Sequence, residues 1–494
     1  MIKTRFAPSP TGFLHVGGLR TALYAYLLAK KEGGTFMLRI EDTDRERLVE
    51  GGIENMIASL KWAGIEVDEG VFIEDSKVSQ KGKNGPYIQS ERLDIYHKHI
   101  NELIENNHAY YCFCSKDRLA ELREYQEKNK LPTGYDGNCR ELLLSESKKK
   151  AKSGESHVVR MKMPKEGITV VDDMIRGQVK FQNKLIDDQV IFKADGFPTY
   201  HMAVVVDDHL MEITHVIRGE EWLPSTPKHI ELYKMFGWKA PKFAHLPLMV
   251  NEQKQKLSKR HGDVSVEDFK EKGYLPEAMI NFIAFLGWNP GDEREVFSLA
   301  ELEKKFGFDQ VGKAAAFFNR KKLDWYNKQY IANLSPEDLA KRCNPFFANQ
   351  GVNLSTFDYN LSAVVQLEQG RANTLLELVD NVSFIFAENL QYDAELLVWK
   401  KSTRKDAKEK LQAIHQFLNN TEKGEWTKEN LEKKGIAWIK ENSWGNGDVL
   451  WPTRIALSGL KNSPGPFEIM NVLGKERSLC RIEHAINNLS IQNR

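Results

Sequence analysis

Phe6-Ala-Pro-Ser-Pro-Thr-Gly-Phe-Leu-His-Val-Gly-Gly18 sits between two segments of different period. Ahead of it, Thr4 to Ala7 can form a short strand. Pro8, Pro10 and Gly12 then allow neither strand nor helix, so the backbone must turn. From Leu19 the apolar residues fall at helical spacing. Leu19, Leu23, Tyr26 and Leu27 share one face, and Gly33-Gly34 stops the helix. The order is strand, Gly-rich turn, helix. Such a turn aims free backbone N–H groups and the positive helix end at one point, which suits a phosphate. His15 stands just ahead of the helix, within reach of the same anion. Thr35 to Ile40 reads as the next strand. Glu41-Asp42-Thr43-Asp44 lies at its C-terminal end, where open α/β sheets bind ligands. The glycines match neither G-x-G-x-x-G nor G-x-x-x-x-G-K-[ST]. Taken alone, the stretch equally fits an ordinary βα turn with a surface histidine.

A second stretch bears on this choice. Lys256-Leu-Ser-Lys-Arg260 follows the apolar run Leu246 to Val250 across a polar loop. A lone Lys-x-x-Lys is commonly solvated charge. Paired in order with His15-Val-Gly-Gly18, it resembles the two signatures of class I aminoacyl-tRNA synthetases. Here glycine replaces the last histidine of the first signature, and arginine ends the second. Arg5-Phe-Ala-Pro-Ser-Pro-Thr-Gly12, Arg39-Ile-Glu-Asp-Thr-Asp44 and Val216-Ile-Arg-Gly-Glu-Glu-Trp222 are similar to the bacterial glutamyl-tRNA synthetase family. Trp451-Pro-Thr-Arg-Ile-Ala-Leu-Ser-Gly459 and Leu473-Gly-Lys-Glu-Arg477 resemble its C-terminal segment. The likeness runs over essentially the whole chain.

A chain of 494 residues is long for one core, and about three to five domains are expected at ~100–200 residues each. The resemblance implies an α/β fold: a Rossmann-like class I catalytic domain split by an α+β insert, then an all-helical C-terminal half. The expected boundaries are 1–108 and 198–255 for the catalytic halves, 109–197 for the insert, 256–328 for a stem-contact region with the lysine loop, and 329–494 for a helical anticodon-binding region. Strand-like runs Tyr110–Cys114, Val158–Met163, Ile168–Val171, Val179–Phe181 and Val190–Lys193 are assigned to the insert, and Leu144–Ser156 to a polar break. The insert is implied to hold the tRNA acceptor end. Helical patterning after residue 330 sets the chain apart from glutamine-specific relatives, which carry β-barrels there.

The formal net charge is only +1, so nucleic-acid contact must come from local patches such as Lys148–Lys150, Arg320–Lys322 and Lys400–Lys405. Each of these alone equally reads as a solvated helix face. No stretch approaches the ~18 apolar residues of a membrane helix, and no signal-type run opens the chain. Five scattered cysteines make no disulfide framework, so a reduced, cytoplasmic protein is expected.

The implied reaction joins L-glutamate to tRNA-Glu in two steps through glutamyl-adenylate. The substrate carboxylate is itself the nucleophile, so catalysis must come from alignment and from stabilising charge on the phosphates. Carried over position by position, the resemblance makes His15, Lys256 and Lys259 catalytic. It puts ATP, with Mg2+, against Pro10, Gly12, His15, Gly17, Gly18, Lys256, Ser258 and Lys259. It puts glutamate against Arg5, Ala7, Ser9, Glu41, Tyr200 and Arg218. A γ-carboxylate needs a guanidinium fork and an ammonium needs an acceptor; which arginine meets which carboxylate is open at this point. Val204 stands where some members carry an asparagine, and that contact is not carried over. Cys112-x-Cys114 and Cys139 resemble the zinc site of some members. With Arg140-Glu141 in place of a nearby histidine, free thiols are the default and no metal is assigned; Glu141 or a side chain distant in sequence is left as the fourth donor. The chain is expected to be a monomer. The alternatives are a glutaminyl-tRNA synthetase and a nucleotidylyltransferase of the same superfamily; the second would not need some 170 residues beyond residue 325.

Overall fold

The structure is a computed structural model that describes residues 1–257, 264–354 and 360–490. It divides into two compact units, Met1–Phe269 with Pro276–Arg320, and Lys270–Leu275 with Lys321–Arg494.

The first unit is built on an eight-stranded sheet. Its strands are β1 (Lys3–Phe6), β2 (Thr35–Leu38), β3 (Glu69–Glu74), β4 (Lys77–Lys81), β7 (Ile168–Asp173), β8 (Gly177–Gln182), β10 (His215–Gly219) and β11 (Lys242–Leu246), in the order β4-β3-β2-β1-β10-β11-β7-β8. The six inner strands run parallel, and β4 and β8 close the edges antiparallel. From β1 the chain moves outward to β2 and β3, then returns to place β10 on the other side of β1. That reversal opens a crevice at the carboxyl ends of β1, β2 and β10.

Helix α1 (Val16–Lys31) buries 11 of its 16 residues. The spacing predicts one apolar face, but α1 lies between the sheet and the helices Pro276–Ala284 and Leu299–Lys305, so it is covered nearly all round. Even β1 is wholly buried although it reads Lys-Thr-Arg-Phe. Lys3 pairs with Glu69 at 2.6 Å, and Thr4 Oγ1 donates to the Ala25 carbonyl at 2.8 Å.

Between residues 109 and 197 the structure departs from the expected insert. Strands β5 (Ala109–Cys112), β6 (Val158–Met161) and β9 (Val190–Phe192) form a separate antiparallel sheet. The β7–β8 hairpin instead joins the large sheet through Phe243↔Asp173. Short strands of like composition carry no label for the sheet they join; the partner β11 decides. Leu144–Lys152, expected as a break, is a helix, with Lys148 paired to Glu105 and Lys150 to Glu155. Helices α2 (Gly52–Trp62), α3 (Leu93–Glu105), α4 (Lys116–Lys128), α5 (Leu144–Lys152), α6 (Tyr200–Leu210) and α7 (Thr226–Met235) complete the middle of this unit.

The second unit is helical throughout its described residues. Arg404–Asn419 packs on Asn446–Ser458 and on Lys475–Asn488, burying Leu411, Ile414 and Leu418 on the face predicted from their spacing. Among the described residues no helix is long and apolar enough to cross a membrane.

Candidate active site

A cavity of about 1140 Å³ opens at the crevice. Arg5, Ala7, Ser9, His15, Gly17, Gly18, Glu41, Tyr200, Arg218 and Lys256 all line it. Pro10 and Gly12 do not: they shape the turn, with the Pro10 carbonyl accepting from Val49 N–H at 2.9 Å. Ser258 and Lys259 lie outside the described residues.

His15 caps α1. Its Nδ1 accepts from the Gly18 N–H at 3.1 Å. An accepting nitrogen carries no proton, so in the neutral ring the N–H sits on Nε2. The cap therefore leaves Nε2 as the donor. A β-carbon on Gly17 would stand 3.0 Å from the same ring, so any larger residue there would press on the cap.

The lysine segment starts beside a short strand pair, and the chain that follows it is tied to this turn. The Leu257 N–H donates to the Met249 carbonyl, and β12 (Met249–Val250) pairs with β13 (Ala316–Phe317). After the undescribed stretch, Val16 N–H donates to the Val264 carbonyl and Val266 N–H to the Leu14 carbonyl, both at 2.9 Å. Residues that follow the second signature thus bond to the first. Lys256 Nζ reaches Glu221 at 3.2 Å and is half-exposed.

The inner wall is an ionic lattice. Arg5 makes a two-pronged contact with Asp208 at 3.1 and 3.2 Å. Arg39 donates to Asp208 at 2.7 Å and to Glu41 at 2.9 Å, while Arg92, Gln89 and Tyr96 converge on Asp207. Burial pushes the Asp208 carboxyl up, but the Arg5 and Arg39 guanidiniums outweigh it and hold it below the usual range. For Glu41 burial wins over Arg39 and Arg5, and its pKa is raised. The Asp208 partners Arg5 and Arg39 lie 203 and 169 residues away along the chain, and the Asp207 partners Gln89, Arg92 and Tyr96 lie 111–118 residues away.

Arg218 differs. It is buried, and its neighbours are His245, Tyr200, His229, Thr226 and the Trp222 carbonyl. No carboxylate contacts it among the described residues. Tyr200 Oη accepts from Arg218 at 3.0 Å, and its own hydroxyl proton has no acceptor among the described residues. Trp222 lies against the Tyr200 ring with centroids 4.3 Å apart. Sequence reasoning missed Trp222, Lys193, Arg45 and Phe197 in the lining; Lys193 and Arg45 lie over the Phe197 ring at 5.5 and 6.0 Å.

In the small sheet's neighbourhood, the sulfurs of Cys112, Cys114 and Cys139 lie within 4.8 Å of one another. Glu141, one of the two candidate fourth donors, is exposed and faces Arg140 and Lys162. The structure brings in Tyr135 instead, its Oη 3.4 Å from Cys112 Sγ and 3.6 Å from Cys114 Sγ. Three soft sulfurs at this spacing are compatible with a zinc ion, with Tyr135 Oη as the neighbouring oxygen.

The helical unit has its own concavity, about 480 Å³, between Arg404–Asn419 and Lys428–Glu441. Phe417 and Trp438 stack at 4.8 Å, Trp444 stands edge-on to Trp438 at 5.3 Å, and Lys410 lies 3.9 Å over Trp444. Residues 400–440 carry eleven Lys and Arg against six Asp and Glu.

Residues 1–325 match the family model for the catalytic domain of class I tRNA synthetases (E and Q), and residues 338–486 match an anticodon binding domain model. The chain is 44% identical to the glutamate–tRNA ligase of Alkaliphilus metalliredigens, over 99% of both chains. It is 46% identical to that of Clostridium tetani, over 99% of this chain and 98% of the relative. A crystal structure of a glutamate tRNA ligase from Elizabethkingia meningosepticum, in complex with its amino acid, superposes with a TM-score of 0.87 at 35% identity, covering 99% of both chains.

Proposed function

The chain belongs to the glutamate–tRNA ligases of the class I tRNA synthetase family, and from that premise we propose how its cavity selects and activates its substrate. It attaches L-glutamate to tRNA-Glu at the expense of ATP. The α-carboxylate attacks the α-phosphate, pyrophosphate leaves, and a ribose hydroxyl of the terminal adenosine then takes the glutamyl group with release of AMP. Because these relatives match end to end and the C-terminal unit is helical, the glutaminyl alternative is not favoured. A nucleotidylyltransferase would not need the anticodon-binding match.

One observation carries the assignment of roles. Arg5 pairs its charge with Asp208, whereas buried Arg218 touches only neutral groups among the described residues. Arg218 therefore takes the side-chain carboxylate of glutamate, and Tyr200 gives it the hydroxyl proton that no group among the described residues accepts. Glu41 receives the ammonium; Ser9 and Ala7 border it. His15 Nε2–H donates to the phosphates at the start of α1, and Gly17 and Gly18 let the nucleotide approach. Lys256 and Lys259 neutralise the departing pyrophosphate, and Mg2+ entering with ATP supplies the remaining countercharge. Pro10 and Gly12 act by holding the turn.

The aromatic concavity of the helical unit, with Lys410 lying over Trp444 beside it, suits an unstacked RNA base, because every base has a face to stack. The insert around β5, β6 and β9 receives the acceptor end. The protein works as a monomer in the cytoplasm. The test is charging: with ATP and tRNA, labelled glutamate becomes acid-precipitable and glutamine does not. Charging of glutamine in preference to glutamate would reverse the assignment.

A further inference from the structure

Every donor of Arg218 has a partner, and the partners are arranged to stay neutral. Nε donates to His245 Nε2 at 3.0 Å, and Nη1 donates to Tyr200 Oη at 3.0 Å and faces His229 Nδ1 at 3.2 Å. Nη2 donates to Thr226 Oγ1 at 2.8 Å and reaches the Trp222 carbonyl at 3.4 Å. Two imidazoles must therefore present lone pairs to the guanidinium, and each has its proton fixed on the far side.

For His245 that far side is Asp173. His245 Nδ1 lies 2.6 Å from Asp173 Oδ2, and the His245 backbone N–H donates to the same oxygen at 3.0 Å. Asp173 Oδ1 accepts from the N–H groups of Ile175 and Arg176 at 3.0 and 2.9 Å. Four donors hold this carboxylate in place. Burial alone would push Asp173 up, but His245 and the backbone donors hold it below the usual range. An ionised Asp173 demands Nδ1–H on His245, which leaves Nε2 as an acceptor. His229 is ordered likewise: its Nδ1 faces Arg218, and its Nε2 lies 2.9 Å from His201 Nδ1. Burial holds His229 and His245 below the ordinary histidine range and pushes His201 down to about 4, so all three rings are neutral near pH 7.

We propose that Asp173 and His245 are specificity-determining positioning residues, which orient the Arg218 guanidinium through a neutral acceptor and so keep its charge for the side-chain carboxylate of the substrate. The inference rests on the reading of Arg218 as the carboxylate receptor. A carboxylate in direct contact would orient the guanidinium equally well but would also pair with it, as Asp208 does with Arg5. Placing an imidazole between them roughly doubles the charge separation and so roughly halves the attraction. The carboxylate then acts through the ring by fixing its tautomer, as a carboxylate behind a metal-bound or catalytic histidine does. A substrate carboxamide gains nothing from this arrangement, because the cation has no anion to meet.

Asp173→Asn removes the fixed tautomer and lets His245 present Nε2–H to Arg218 Nε–H, donor against donor. In pyrophosphate exchange run with tRNA present, the KM for glutamate should rise roughly 10- to 100-fold, the range for one hydrogen bond to a charged group, while the KM for ATP moves by less than about twofold. The ratio of glutamate to glutamine activation should fall with it. His245→Gln, whose amide oxygen is an acceptor needing no partner, should recover most of the glutamate KM that His245→Leu loses. Asp173→Asn added to His245→Gln should then cost nothing further, because the coupling runs through the ring. An unchanged glutamate KM in Asp173→Asn, or equal rises for glutamate and ATP, overturns the proposal. If Asp173→Asn does not fold, equal glutamate KM values for the His245 pair overturn it instead. Arg218→Ala separates the two levels: if that variant keeps its glutamate KM, the receptor assignment fails; if it loses it while Asp173→Asn does not, only the positioning claim fails.

Discussion

His15 has two jobs on two nitrogens, and a pair of substitutions can part them. Nδ1 caps α1 through the Gly18 N–H at 3.1 Å; Nε2 carries the proton assigned to the phosphates. Removing a side-chain cap costs ~0.5–2 kcal/mol, and asparagine is among the best replacements. Removing a donor aimed at charge that develops in the transition state costs ~2.7–4 kcal/mol, or ~100- to 1000-fold in kcat. His15→Ala should therefore lose both, and in a unit of this size each ~1 kcal/mol of cap energy lowers Tm by ~2–4 °C at most. His15→Asn should keep Tm near the parent value while losing the same factor in kcat. Pyrophosphate exchange at saturating glutamate and ATP measures the second quantity, and calorimetry measures the first. If His15→Asn keeps kcat within about tenfold of the parent, the ring serves only as a cap and the catalytic reading is refuted. If His15→Ala melts like the parent, the cap contributes nothing.

Glutamate binding should weaken as pH falls. Burial raises the Glu41 pKa against the pull of Arg39 and Arg5, and the protonated form cannot hold an ammonium, so the KM for glutamate should climb on the acidic side and Glu41→Gln should flatten that profile; a parent KM independent of pH would contradict the assignment. The Cys112–Cys114–Cys139 sulfurs with Tyr135 Oη should take up about one zinc per chain, measurable by metal analysis, and Cys139→Ser should abolish it; protein that stays zinc-free when offered the metal would leave the cluster as thiols. Trp438→Ala should raise the KM for tRNA by ~5- to 150-fold, the worth of ~1–3 kcal/mol for one stacked base, with the glutamate KM unmoved. Equal tRNA KM values would remove the concavity from the RNA path.

The strand–turn–helix of residues 3–31 was legible because its causes are local: prolines and a glycine force the turn, and spacing makes the helix. The helical C-terminal unit was legible for the same reason. Leu144–Lys152 was misread since its lysines look like loop composition, yet Lys148 and Lys150 find acidic partners on either side. Tyr135 escaped notice as a fourth donor because tyrosine is not among the usual ligand types, and only the chain's return past Cys112 and Cys114 brings it near.

What the sequence by itself determined is part of the cavity wall: the motifs name Arg5, His15, Glu41, Arg218 and Lys256, the resemblance adds Tyr200, and all six line it. What only the tertiary structure decided is which of these charges already has an ionic partner. Arg5 and Arg218 are the same residue type on neighbouring strands, yet one meets Asp208, 203 positions along the chain, and the other meets His245 backed by Asp173, 72 positions from it. Whether a buried guanidinium is already paired or still available depends on the atoms within a few ångströms of it, and those atoms come from strands and helices whose order in the sheet no local pattern encodes.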